Sequence, residues 1–285
     1  MKITENVEWK DTIKIIWAEL PREFDKAYII PLADCHIGSK YFDKQKLIGY
    51  LKWIKETPEA ICIWNGDLCD CGIPGSIGEW WEQEPVTPQE QIRQLVDIVQ
   101  RFGIEDKILA IVGGSNHPMR AMKLTGHDYD QEFAERLGLR ERYCKDAGLF
   151  KLSLGYWTRA PVGKTAKNKP SGTQQIPYMI YATHGWSAGR QAGASVNAVR
   201  ELGAIWGRVE VFITAHRHLD SATPDVLFEP EYSRPTINEI RREYVVSGSF
   251  LRYGGYALRK GLRPNNPGTP RIRLDGRRKD IHVSI

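Results

Sequence analysis

Long apolar runs are absent from this chain of 285 residues, and none approaches the roughly 18 that a membrane-spanning helix needs. A helical membrane protein is therefore not expected. The opening stretch, MKITENVEWK, lacks the apolar core of a secretory signal. Cysteine is sparse and odd in number, at five residues. Cys35, Cys62, Cys69, Cys71 and Cys144 sit mostly in or beside apolar stretches, which fits reduced, buried thiols in a cytoplasmic protein. Cys69 and Cys71 stand two apart rather than at CxxC spacing, so a zinc knuckle is not expected. The serine-nucleophile pattern GxSxG and the phosphate-loop pattern GxxxxGK(S/T) are both missing, which leaves those chemistries without support. No internal repeat and no long low-complexity segment occurs. Neither charge sign dominates: the net charge is +5 and the pI about 8.8, which permits an anionic partner without requiring one.

What remains is an ordinary globular composition, 41% hydrophobic and 26% charged, in a chain long enough for a sizeable core. Strands are expected at Thr12–Ala18, Ala27–Ala33, Ala60–Trp64, Lys107–Val112, Leu149–Leu154, Tyr178–Thr183, Glu210–Thr214 and Tyr244–Phe250. Helical spacing appears in Phe42–Lys55 and Asp130–Leu137. It also appears from Thr87-Pro88 to about Phe102, where Thr is placed to cap and Pro to open the helix. Thr158–Gln175, rich in Gly, Pro, Ser and Lys, reads as a loop. The tail, Arg271–Ile285, reads as two short strands around Asp275-Gly276. Strands alternate with helices in the first half and crowd together in the second, which argues for a layered α/β protein with helices outside.

The stretch Ile61–Gly72, ICIWNGDLCDCG, delivers Asp67 at the end of an apolar strand and Asp70 three residues later. GDxxD alone is a weak signal. Its company raises it: Asp34 and His36, Asn116 and His117, His184, and His216 and His218 also follow apolar runs. Five of the seven histidines occupy these positions. Carboxylate, imidazole and amide donors together suit borderline divalent cations. Residues two apart on a strand point to one side, so Asp34 and His36 are expected to share one ion with Cys35 turned to the core. By the same periodicity His216 and His218 can share one site with Arg217 facing away, and Asp67 is the candidate to bridge two ions.

The ordered set DxH, GDxxD, NH, H and HxH resembles the calcineurin-like metallophosphoesterase superfamily, over most of the chain. That resemblance implies a four-layer α/β/β/α sandwich of two mixed sheets with outer helices, formed by residues 1–285 as one domain with a basic segment from about residue 252. It implies one metal held by Asp34, His36, Asp67 and His218, and a second held by Asp67, Asn116, His184 and His216. Manganese is the first expectation, with iron, zinc, magnesium and nickel as alternatives. It further implies hydroxide attack in line on phosphorus, His117 as proton donor to the leaving oxygen, and Asp70 as the group that orients His117.

Cys71 stands where phosphoprotein phosphatases of the superfamily carry Arg, and Pro118 where they carry Glu or Asp. Those departures favour the phosphodiesterase and nuclease branch, and FLRYGGYA at Phe250–Ala257 is similar to nuclease-like members. Nucleic acid is the expected substrate. Arg120, Arg217, Arg252 and Tyr253 are candidate substrate contacts, and the loop cations Arg159, Lys164, Lys167 and Lys169 add to the basic tail. Glu79-Trp80-Trp81 is a candidate wall. A small cyclic or dinucleotide diester, a phosphomonoester, and a non-catalytic nucleic-acid-binding role are the alternatives.

Overall fold

The structure is a computed structural model that describes residues 1–73, 82–156, 174–186 and 192–285. Its first half runs β1 (Lys2–Trp9), β2 (Ile13–Glu19), β3 (Lys26–Leu32), α1 (Lys44–Glu56), β4 (Ala60–Asn65), α2 (Pro88–Phe102), β5 (Ile108–Val112), α3 (Asn116–Thr125) and α4 (Tyr129–Arg136). The second half runs β6 (Tyr143–Cys144), β7 (Ala147–Leu154), β8 (Ile176–Thr183), α5 (Ala192–Ile205), β9 (Val211–Thr214), β10 (Ser221–Pro230), β11 (Ile237–Val246), α6 (Gly255–Arg259), β12 (Arg271–Asp275) and β13 (Ile281–Ser284).

A strand that is apolar on both faces must be covered on both. β4 meets that demand: Cys62 and Trp64 face one apolar layer, and Ile61 and Ile63 face another. The same alternation divides β3, with Ile30 and Leu32 on one side and Ala27 and Ile29 on the other. The first layer is closed by Leu47, Leu51 and Ile54 of α1, Ile92 and Leu95 of α2, and Phe133 of α4. The second lies between the two sheets, where Phe150, Ile180, Val211 and Ile213 meet β3, β4 and β5. A third packs Val199 and Leu202 of α5 against Tyr181, Phe212 and Tyr244. The result is the expected four-layer sandwich.

The sheets have orders β13-β12-β3-β4-β5-β6 and β1-β2-β7-β8-β9-β11-β10. β3, β4 and β5 run parallel, as do β8, β9 and β11. Six strand ends from two sheets therefore open on one edge, the place where α/β folds gather ligands.

Several boundaries differ from the sequence expectation. The last expected core strand, Tyr244–Phe250, begins earlier and stops sooner, as β11. β10 is an addition, and it forms although Pro224, Asp225 and Pro230 oppose a strand. It forms at the sheet edge, where a proline's missing N–H leaves no partner unpaired. β1, α3, α5 and α6 are likewise additions. The expected loop at Thr158–Gln175, with its Arg159, Lys164, Lys167 and Lys169, lies almost wholly outside the described residues, as do Glu79, Trp80 and Trp81. Among the described residues no helix is long and apolar enough to cross a membrane.

Candidate metal centre

The strand periodicity expected for the ligands does not hold. Asp34 and His36 lie beyond the end of β3, with φ of 49° and 48°, and His216 and His218 lie beyond β9, with φ of 70° and 57°. Asp67, at φ 45°, completes the set of left-handed ligands. Each such residue costs about 1–2 kcal/mol relative to ordinary backbone, and Asp and His are among the residues that tolerate it best. The strain persists because the turns are tied to each other. The Asp34 N–H donates to Gly66 O at 3.1 Å, His36 N–H to Asp67 O at 3.1 Å, and Phe250 N–H to Asp34 O at 3.1 Å. Gly66 itself has φ 79°, and a Cβ there would stand 2.4 Å from His184 Nδ1, so glycine is required twice over. Cys35 does face the core, fully buried.

The left-handed turns sort the histidines differently from a strand. His216 and His218 part company: His218 joins Asp34 and His36, whereas His216 joins Asp67 and His184. His218 Nε2 lies 3.2 Å from Asp34 Oδ1, and His36 Nε2 lies 3.6 Å from it. His184 Nε2 lies 3.3 Å from Asp67 Oδ2 and 4.0 Å from Asp34 Oδ1, so the two groups meet at the two carboxylates. Asn116 opens α3, and its amide stands 3.4 Å from His216 Nε2. A half-turn of that amide presents its oxygen instead.

The donor set fits cations. His36 Nε2 and His218 Nε2 face each other at 3.2 Å, an arrangement that needs a proton or a cation between two lone pairs. Asp34 Oδ1, His184 Nε2 and His216 Nδ1 are buried without a hydrogen-bond partner. The His184 Nε2 and Asp67 Oδ2 atoms are therefore close but not aligned on each other, as atoms converging on a common point are. The other nitrogen of His184 is committed, 2.8 Å from the Asn65 carbonyl, which fixes the ring and leaves Nε2 for a ligand bond. Asp34 Oδ2 accepts the His216 N–H at 2.9 Å, and Asp67 Oδ1 accepts the His117 N–H at 3.0 Å.

Charge follows the same pattern. Asp34, His36, Asp67 and His184 are at most 2% exposed. Burial pushes the carboxyls of Asp34, Asp67 and Asp70 up, yet the facing imidazoles hold all three well below the usual range. Burial likewise lowers His36, but the facing carboxylates of Asp34, Asp70 and Asp67 raise it to about 10. Asp67 and Asp34 raise His184 to about 9 against the same opposition. His216 moves down, through burial and then the neighbouring His184. All five cysteines are free, and burial pushes each thiol up, so none offers a thiolate near neutral pH.

The structure also brings Asp70 against His117. His117 Nδ1 lies 2.8 Å from the Asp70 carbonyl and 3.2 Å from its Oδ1, and Asp70 Oδ1 lies 3.5 Å from His36 Nδ1. The substrate candidates scatter. Arg120 sits on α3, half-buried, with Nε unpartnered. Arg217 lines a small cleft with Trp186, Val199 and Thr214, on the α5 side. Arg252 is exposed and donates to Lys40 O at 3.1 Å, and Tyr253 donates to Leu262 O at 3.0 Å. Sequence reasoning missed Asn65, which anchors His184, and Gln91, whose Oε1 accepts the N–H of left-handed Cys71 at 2.9 Å. Neither carries a motif signal, since each acts through the fold.

No protein-family model matches the chain, and no curated protein does. Among solved structures it is similar to a metallophosphoesterase from Sphaerobacter thermophilus, at 12% identity and a TM-score of 0.34, over 90% of this chain and 88% of that one. What this chain can do follows from its own ligand arrangement.

Proposed function

We propose that this chain is a two-metal phosphodiesterase of the metallophosphoesterase type, acting in the cytoplasm on nucleic acid. One observation carries the reading: two ligand groups, Asp34–His36–His218 and Asp67–His184–His216, meet at buried carboxylates whose neighbouring donor atoms are left unpartnered. Asp34, His36, Asp67 and His218 would hold one ion, and Asp67, Asn116, His184 and His216 the other. Manganese suits this oxygen and nitrogen set, as do iron, zinc and nickel, and magnesium, which prefers oxygen donors, suits it less. Two such ions, when bound, supply positive charge to the phosphoryl oxygens and lower the pKa of the attacking water.

The chain's own part is orientation and proton transfer. The contact of His117 Nδ1 with the Asp70 carbonyl assigns that nitrogen as the N–H donor and leaves Nε2 to deliver a proton to the departing oxygen. Asp70 holds both His117 and His36 in place. Arg252 and Tyr253 follow Phe250, whose N–H is bonded to Asp34 O, so a cation and an aromatic ring stand just beyond a ligand loop. That pairing suits a phosphate and a base. The free thiols suit a reducing compartment.

A second reading, a small-molecule phosphodiesterase, is favoured by the basic tail itself. Arg259 pairs with Glu82 at 2.6 Å, Arg277 with Asp25, Arg278 with Asp280 at 3.3 Å, and Lys279 with Glu210 at 2.6 Å. Those charges are spoken for within the chain. Hydrolysis of bis-p-nitrophenyl phosphate, p-nitrophenyl phosphate, and single- and double-stranded DNA with Mn²⁺ separates the readings. EDTA-sensitive cleavage of the diester and of DNA is expected. Cleavage of the small diester alone selects the second reading, and no cleavage by metal-loaded protein overturns both.

A further inference from the structure

Ser115 precedes Asn116 at the position that caps α3, and serine there ordinarily accepts an N–H from the first turn. Here it makes no such bond. Its Oγ instead accepts the Asp67 backbone N–H at 2.8 Å. Ser115 and Asp67 are both at most 1% exposed. Behind Ser115, at 3.4 Å from Oγ, lies Oδ2 of Asp130, from the first turn of α4. Asp130 is 1% exposed, and its other oxygen, Oδ1, has no partner. A buried, half-satisfied carboxyl is destabilising by itself, and an apolar residue of similar size ordinarily serves a core better. Asp128 already caps α4, accepting the Gln131 N–H at 3.0 Å, so the helix does not need Asp130 as its cap.

We infer that Asp130 is a positioning residue for the metal centre: it engages the Ser115 hydroxyl and so keeps Ser115 Oγ on the backbone N–H of Asp67, the residue proposed to reach both ions. The inference rests on the two-metal reading. Without Asp130, the Ser115 hydroxyl is free to rotate to its usual place over the α3 N-terminus. The Asp67 N–H then loses its acceptor, in a turn held at φ 45°. The same turn aims both Asp67 oxygens, one at the His117 N–H and one toward His184. Loosening it therefore reaches the ligand and the proton donor together, although Asp130 touches neither.

The test is calorimetric Mn²⁺ binding to the full chain, run beside thermal melts without metal. Wild type, Asp130→Leu, Asp130→Asn and Ser115→Ala are compared. Groups that orient metal ligands typically alter affinity about 10–100-fold, and a loss of that size is expected for Asp130→Leu and for Ser115→Ala. Asp130→Asn offers both a donor and an acceptor to the hydroxyl, so it is expected to stay within a few-fold of wild type. Combining Ser115→Ala with Asp130→Leu is expected to add little to either alone, since both break one link. A folded Asp130→Leu with wild-type affinity overturns the inference. So does an Asp130→Asn variant as weak as Asp130→Leu, which would make Asp130 a charge for the α4 dipole instead. Should Asp130→Leu fail to fold, Ser115→Ala with unchanged affinity overturns it equally. If wild type binds no Mn²⁺, the two-metal reading itself has failed and this inference falls with it.

Discussion

The ligand edge and the C-terminal basic segment both hold many charged groups, and they hold them in opposite ways. At the edge, Asp34 Oδ1 and His184 Nε2 are buried and unpartnered, and two imidazole nitrogens face each other at 3.2 Å. In the tail, Arg259, Arg277, Arg278 and Lys279 have each found a carboxylate of the same chain. The edge is therefore electrostatically incomplete and asks for cations, whereas four of the nine cations of the tail are already paired. A count of charges along the sequence weights the two regions alike. Only the folded partners show that the first has a binding capacity that part of the second has already used.

The comparison breaks most sharply at Asp67. Asp67→Ala removes the residue proposed to reach both ions, and both metal binding and hydrolysis are expected to fall to background, checked by metal content and diester turnover. Appreciable hydrolysis in that variant would take Asp67 out of its shared role. His117→Ala is expected to leave the metal content intact and lower kcat by about 10²–10⁴-fold on a natural diester. The loss should be smaller on p-nitrophenyl esters, whose leaving group needs little protonation. Equal losses on both would contradict the proton-donor assignment.

How far these sites were legible depends on whether the signal is local. Thr87-Pro88 and the spacing of Ile92, Leu95, Val96 and Val99 give α2 its bounds, and Thr87 Oγ1 accepts the Glu90 N–H at 3.3 Å. The layering of β3 and β4 was written in their two-sided apolar runs, and the ligand types in their places after those runs. What strand alternation alone did not give is how the turns partition these residues, because i, i+2 spacing assumes extended backbone and they are left-handed. Ser115 and Asp130 were also silent, since fifteen positions of sequence separate two groups that meet only once α3 and α4 are packed. The pairings of the tail were silent for the same reason: Asp25, Glu82 and Glu210, which meet Arg277, Arg259 and Lys279, lie far from them in sequence.

Acidity gives a third test. In metal-free protein the folded-state values of His36 and His184 are about 10 and about 9, above the roughly 6.5 of an unfolded histidine. Their contribution is fully present below about 6.5 and is lost as the pH rises toward 9 and 10. The carboxyls of Asp34, Asp67 and Asp70 are depressed, so their contribution is lost on the acid side instead. Thermal melts in EDTA should thus show falling stability from pH 6 to 9. With Mn²⁺ the trend should reverse, because metal binding releases those protons. A flat EDTA profile would mean that the edge is not the charged, incomplete region described.

The smallest effects belong to the tail. Arg252→Ala is expected to raise KM for DNA several-fold, more than for a small diester, and to reduce the salt slope of DNA binding by about one. Arg277→Ala breaks only an exposed pair with Asp25 and should leave turnover and DNA binding unchanged. Equal loss from the two variants would restore the whole tail as a phosphate-binding face.

The most direct measurement is anomalous diffraction from crystals of the protein grown with Mn²⁺. Two peaks are expected, one within ligand distance of Asp34, His36 and His218, the other within ligand distance of His184, His216 and Asn116, with Asp67 reaching both. A single peak, or manganese bound away from these residues, would contradict the two-metal centre and the chemistry built on it.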